Sequence, residues 1–357
     1  MKRFLPQLQS LAQRLPDQLT EADKAELEAI YQQCLETLDD SEAMFGYVLA
    51  KAMRKHVAGG QSNEHIYVQQ FEIPQIRLFE LLIQQLPLAA LTQQCANALL
   101  TESLKNAEYP VLLDIGIGTG MQVVNVLRLL AQQNGCRVKQ ITVVGIEPFA
   151  DAVRAAEKNF AELHLPFQVH FTASVGFVEK MTLAEIQALL PTHYDTLVVN
   201  ASFALHHIQQ AAQRETVFGH IRDLAPKAFV LSEPVSDHFE PHYATRFRNA
   251  VTHYGLVFEV IDSLDITNKE KAALKLFFSR EIDDVLGHTE EVRVEKQYAA
   301  HQWLELFRTT GFTLEKPITS FGEIQEMNGA VLRVDLPQRY AVVFKNEEIT
   351  NVFWAKP

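Results

Sequence analysis

The sequence predicts an α/β fold: a mostly parallel sheet covered by helices on both faces, closed by an antiparallel strand and topped by a helical cap. Three observations predict it. From Val111 onward, short apolar runs rich in β-branched residues alternate with stretches of helical periodicity, the pattern of a sheet buried on both faces. The first run leads directly into a turn with three glycines, "DIGIGTG". The 357 residues exceed what such a core needs, and the surplus, before the first run and after the fifth, reads as helix.

Taken in order, residues 1–108 read as helical. In "LTEADKAELEAIYQQCLETL", Thr20 supplies a cap, acidic residues fill the first turn, and apolar positions recur at helical spacing. Gly59 and Gly60 break the pattern, and "EIPQIRLFELLIQQL" resumes a helix after Pro74. Five strands follow, at 111–116, 141–148, 168–174, 195–202 and 227–234, with helices such as "FADAVRAAEKNFAEL" between them. Residues from about 238 to 310 read mostly helical, and "GFTLEKP", "RYAVVFKN" and "NVFWAKP" read as closing strands. The expected organisation is an N-terminal helical region, 1–108, and a core, 109–357, interrupted by a helical stretch at 238–300.

Composition narrows the function classes. Hydrophobic residues at 47% and charged residues at 21% describe a globular chain, and nothing approaches the roughly 18 uninterrupted apolar residues of a membrane span. The net charge of −12 speaks against nucleic acid or an anionic membrane as the main partner, since both reward clustered Lys and Arg. Cys34, Cys95 and Cys136 are odd in number and widely spaced, which fits a reducing compartment. The N-terminus alternates Gln with Leu, unlike a signal peptide, so a cytoplasmic location is expected. A homodimer is compatible with the sequence.

The glycine turn carries the chemistry. In an open α/β sheet the ligand sits at the carboxyl ends of the strands, and Gly116, Gly118 and Gly120 occupy the first such turn, ahead of a helix whose N-terminal N–H groups favour an anionic group. A nicotinamide or flavin fingerprint would need glycine where Met121 stands. Asp114, at the end of the strand, is out of place beside a pyrophosphate but suits the ammonium of an amino-acid ligand, and S-adenosylmethionine has one. Glu147 ends the second strand, where a carboxylate can take both ribose hydroxyls; Phe149 is placed to pack on an adenine, and Ala173 and Ser174 to border it.

Read as a unit, "VLLDIGIGTG…GIEP…VVNASFALHHI" resembles the class I S-adenosylmethionine-dependent methyltransferases. The longer pattern, from "LVVNASFALHHI" through "LSEPVSDHFEPHYATRFRNAVTHYGLVFEVIDSLD" and "SREIDDVLGHTEEVRVEKQYAAHQWLELFRTTGF" to "YAVVFKNEEITNVFWAKP", is similar to the GRAS domain. That similarity spans about Gln69 to Ala355. It implies a Rossmann-like methyltransferase core with a helical cap, to which region 1–108 contributes and which the insertion at 238–300 completes, and cofactor roles for Asp114, Gly116, Gly118, Gly120, Glu147 and Asn200. Plant members of the family are chiefly regulators and partner-binding proteins, while the complete glycine loop resembles the bacterial, methyltransferase-like branch. The leading expectation is therefore a methyltransferase acting on a small, partly apolar molecule. The alternative is a regulatory or interaction protein that binds S-adenosylmethionine or a small ligand without chemistry.

Candidate catalytic groups follow from position. His206 and His207 lie just beyond the fourth strand, at the methyl-donor end, and a histidine can act as a base near neutral pH; adjacent helical residues point about 100° apart, so one of the two is expected to face the pocket. Glu233, ending the fifth strand, could orient a substrate or hold a histidine. No metal is expected: His238 and His242 have a suggestive spacing, but Pro241 disturbs the helix and no carboxylate pattern supports them. Phe239, Tyr243, Phe247, Tyr254 and Phe258 recur near helical spacing, as either cap core or the lining of an apolar pocket.

Overall fold

The computed structural model describes residues 3–15, 19–38, 40–60, 77–78, 81–318 and 326–357. The five expected parallel strands form within a residue or so of their predicted limits: β1 (Pro110–Ile115), β2 (Gln140–Glu147), β3 (Gln168–Val175), β4 (Thr196–Ser202) and β5 (Ala228–Pro234). The closing strands are β6 (Thr313–Glu315), β9 (Tyr340–Phe344) and β10 (Glu347–Lys356), joined by β7 (Glu326–Met327) and β8 (Ala330–Arg333). Among the described residues they make one sheet in the order β3-β2-β1-β4-β5-β10-β9-β8-β7, with β6 on the far end of β10. Strands β1 to β5 pair in parallel, and β10 lies antiparallel to β5.

Alternation along the strands creates two cores. Leu112, Val198 and Val230 lie in one core together with Val123 and Leu127 of helix Met121–Gln132 and Ala156 and Phe160 of helix Ala150–Ala161. Leu113, Val199, Phe229 and Phe353 face the opposite side, against Ile186, Phe218, Trp303 and Phe307. Period-two side chains on strands buried on both faces explain why the runs read as continuous apolar stretches.

Helix Pro87–Leu104 covers the sheet over β4, β5 and β10 and is anchored by Trp354, whose indole N–H donates to Ser103 Oγ at 3.0 Å. It is thus a layer of the core, although it precedes the boundary drawn at 108. The cap is a bundle of helices Leu5–Arg14, Glu21–Leu35 and Ser41–Val57 with Tyr243–Ser263 and Asn268–Gly287 from the insertion. Thr20 forms the expected cap, exchanging hydrogen bonds with Asp23, and Thr267 does the same with Glu270. Across the bundle Lys55 pairs with Asp283 and Lys275 with Asp262, both at 2.5 Å. The helix expected after Pro74 lies largely outside the described residues; Leu81–Gln85 forms one wide helical turn. Tyr243, Phe247, Tyr254 and Phe258 are buried in the cap, so the aromatic periodicity is core rather than pocket lining. Among the described residues no helix is long and apolar enough to cross a membrane.

Candidate functional site

A cleft of about 760 Å³ opens at the carboxyl ends of β1 and β2. Core and cap both line it: Gly116, Glu147, Phe149 and His207 from one side, Asp284 and Val294 from the other. The three glycines adopt φ of +76°, +53° and +74°, a region that strains residues with a Cβ. At Gly116 a Cβ would also lie 2.5 Å from that of Ala204, and at Gly120 it would meet the Phe160 ring at 2.7 Å. Nothing stands within 4 Å of a Cβ on Gly118, so the crest of the turn is open. Phe203, a non-glycine residue held at φ +54°, carries the chain off β4 so that Ala204 covers Gly116.

Behind the turn, two carboxylates are fixed by the backbone and by Asn200. Glu147 accepts the Gly118 N–H at 2.9 Å and the Phe149 N–H at 3.2 Å; burial raises its pKa against those bonds. Asp114 accepts from Asn200 Nδ2 at 2.9 Å, and burial, opposed by that bond and aided by the Glu147 charge, pushes it up to about 7. Among the described residues, Asn200 Oδ1 and Gln122 Nε2 are buried without a hydrogen-bond partner. One is an acceptor and the other a donor, beside an ionisable carboxylate. This is the set an amino-acid head group would satisfy, through its ammonium and its carboxylate.

Phe149 and Phe177 stand on the cleft about half-exposed. Of the residues expected to hold the cofactor, Gly116, Glu147 and Phe149 line the cleft, whereas Asp114, Gly118, Gly120 and Asn200 are not among its lining residues, nor are Ala173 and Ser174, expected to border an adenine. Strand β3 runs on to Val175, pairing Gly145 with Ala173 and Ile146 with Ser174, so the chain reaches the cleft at Phe177 and Val178 instead.

The two histidine rings lie against each other, centroids 4.0 Å apart, but differ in exposure and do not have the roles expected. Only His207 lines the cleft, with 38% of its side chain exposed. His206 is buried between two carboxylates, its Nδ1 2.5 Å from Glu233 and its Nε2 3.2 Å from Glu295. Burial disfavours a charged ring, but the charge and hydrogen bond of Glu233, then those of Glu295, override it and push His206 up to about 10. An imidazolium that donates from both nitrogens has no lone pair with which to take a proton, so His206 is not a poised base. Burial and the neighbouring His206 charge lower the pKa of His207. Glu233 also accepts the Leu205 N–H at 2.8 Å, holding the turn rather than touching the cleft.

Glu295 was invisible in the sequence. It lies in the irregular stretch after helix Asn268–Gly287, and only the fold brings it to the histidines. Asp284 fixes it by accepting the N–H groups of Val294 at 2.9 Å and Glu295 at 2.7 Å. Burial raises the Glu295 pKa, but the two histidines outweigh burial and hold it down at about 2. One ligand atom from each of His206, His207 and Glu295 lies within 4.8 Å of the others. By contrast His238 is buried against Tyr254, with Nε2 on Ser236 Oγ, and His242 is exposed, so that pair forms no common site.

The chain is 25% identical over 227 residues to DELLA protein 2 of Medicago truncatula, covering 61% of this chain and 42% of that one. It spans less than half the length of the first curated relatives it matches. The crystal structure of SCL7 from Oryza sativa superposes with a TM-score of 0.80 at 19% identity, covering 100% of both chains, and establishes the fold. A cyclopropane synthase, MmaA2 of Mycobacterium tuberculosis, reaches a TM-score of only 0.37. These relatives overturn the expectation of a methyltransferase enzyme: the similar sequences are DELLA and scarecrow-like regulatory proteins, and methyltransferases are matched only as distant folds. The GRAS domain family model matches residues 5–356, and the chain belongs to that family.

Proposed function

We propose that this protein is a regulatory or interaction protein of the GRAS type whose cleft binds S-adenosylmethionine, or a closely similar aminoacyl nucleoside, without catalysing transfer of its methyl group. The observation that carries this reading is a ligand-sized cleft beside the glycine turn, with both ring nitrogens of His206 engaged by the Glu233 and Glu295 carboxylates where a free base would stand. Asp114, Asn200 Oδ1 and Gln122 Nε2 suit an ammonium and a carboxylate, and Glu147 suits ribose hydroxyls. Phe149 and Phe177 offer rings for a base to pack on. S-adenosylmethionine would supply only recognition there, its sulfonium left unreacted.

Isothermal titration of S-adenosylmethionine and S-adenosylhomocysteine against the purified chain tests this. Both are expected to bind, and Asp114→Ala to weaken binding by roughly 10- to 100-fold, the worth of a hydrogen bond to a charged group. Incubation with methyl-labelled cofactor and a metabolite extract should label nothing. Failure of both ligands to bind removes the ligand assignment, and a labelled product removes the claim of no catalysis.

A further inference from the structure

We infer that His206, His207 and Glu295 form a binding site for one divalent transition-metal ion of the zinc class, which pins the cap to the loop after β4. The inference stands on geometry and does not depend on which organic ligand the cleft takes. A tetrahedral ion bound at about 2.0–2.1 Å places its ligand atoms roughly 3.3–3.4 Å apart. The two oxygens of the Glu295 carboxylate lie near that figure, Oε2 3.2 Å from His206 Nε2 and Oε1 3.5 Å from His207 Nδ1, and one ligand atom from each of the three residues lies within 4.8 Å of the others, so a small side-chain adjustment closes them on one ion.

What surrounds the three side chains also suits a metal. A histidine ligand almost always donates its other ring N–H to a carboxylate or carbonyl, which fixes the tautomer and strengthens the ligand. His206 has this arrangement, with Glu233 2.5 Å from Nδ1, and Glu233 is itself held by the Leu205 N–H. Glu295 is oriented by Asp284, which grips its backbone, and by Arg214, which donates to the carbonyls of His206 and Lys296 and so ties the two segments together. The ion takes the place of the proton between His206 Nε2 and Glu295, and that proton passes to solvent. Two buried carboxylates, Glu233 and Glu295, then face a dication instead of a single imidazolium. Because His207 lines the cleft, a fourth position on the ion is open to an oxygen ligand from that side.

This mixture of imidazole nitrogen and carboxylate oxygen selects zinc and its neighbours over calcium or magnesium, which prefer oxygen alone. The untagged full chain, stripped with chelator, is titrated calorimetrically with Zn²⁺ and, in parallel, with Co²⁺ read by its visible absorption. One equivalent of Zn²⁺ is expected, with Co²⁺ bands of a four-coordinate site. Glu233→Gln keeps all three ligands but removes the carboxylate behind His206, and should weaken Zn²⁺ by roughly 10- to 100-fold. His207→Ala should weaken it by a larger factor, and His301→Ala, at an exposed histidine elsewhere, should change nothing. His207 is partly exposed, so its variant is expected to fold, and circular dichroism checks this. Absence of stoichiometric Zn²⁺ binding to the unmodified chain, or equal affinity in folded His207→Ala, overturns the site.

Discussion

The same residue type carries different costs within one turn. Gly116 and Gly118 both have positive φ, but only Gly116 is covered, by Ala204. Gly118→Ala should cost about 1 kcal/mol, the conformational strain alone. Gly116→Ala adds a methyl collision in a packed place and should cost about 2–4 kcal/mol in total. Urea unfolding of the two variants checks the difference, and equal costs would mean that Ala204 moves freely. Asp114 makes a second residue-scale prediction. Its folded pKa, about 7, lies above the ordinary 3.8, so between those values the folded state binds more protons than the unfolded one. Its stabilising contribution is therefore full below about pH 4 and declines as pH rises through about 7. The loss is on the order of a few kcal/mol. Unfolding midpoints across that range should fall more steeply for the unmodified chain than for Asp114→Asn. Identical slopes would show that the carboxyl ionises as it does in water.

At the scale of elements, what could be read in the sequence depended on how locally each signal was written. The five parallel strands and the cap at Thr20 rest on contiguous residues, and their limits were legible to within a residue or two. The β7–β8 hairpin was missed although its turn, Asn328 and Gly329, both at positive φ, is a standard hairpin signal. Strands of two and four residues leave too little alternation to register. The glycine turn and Glu147 were also legible, being strand-end residues in a known topology. The clamp on His206 was not, because Glu295 approaches across the fold from a stretch with no periodicity of its own. Thr267 offers an element-scale test: its hydroxyl accepts the Glu270 N–H at 3.3 Å while Glu270 reaches back to the Thr267 N–H at 3.0 Å. Thr267→Ala should destabilise the cap by about 0.5–2 kcal/mol. Hydrogen exchange should show the first turn of helix Asn268–Gly287 opening before the rest.

Across the whole molecule, the cleft is built from two bodies that meet along one seam, and Arg214 is its fastener. It is buried, and it donates to the carbonyls of Ile208 at 2.9 Å, His206 at 2.7 Å and Lys296 at 2.5 Å. The first two belong to the loop after β4 and the third to the stretch that carries Glu295 below the cap. A lysine keeps the charge but cannot span three carbonyls with one nitrogen, so Arg214→Lys leaves buried acceptors unpaired, at about 1–3 kcal/mol each. Global stability should fall by about 3 kcal/mol, and amide protection over residues 289–299 should fall first. Seam and cleft share walls, so whatever fills the cleft binds the assembled form and stabilises it in proportion to its affinity. A cleft ligand should therefore raise protection of residues 289–299 in the unmodified chain, and should bind Arg214→Lys more weakly although Arg214 does not line the cleft. Unchanged ligand affinity in a folded Arg214→Lys would separate the two, making the cleft a property of the core alone. Coupled loss would mean that occupancy of the core is felt across the seam, in the stretch that joins it to the cap.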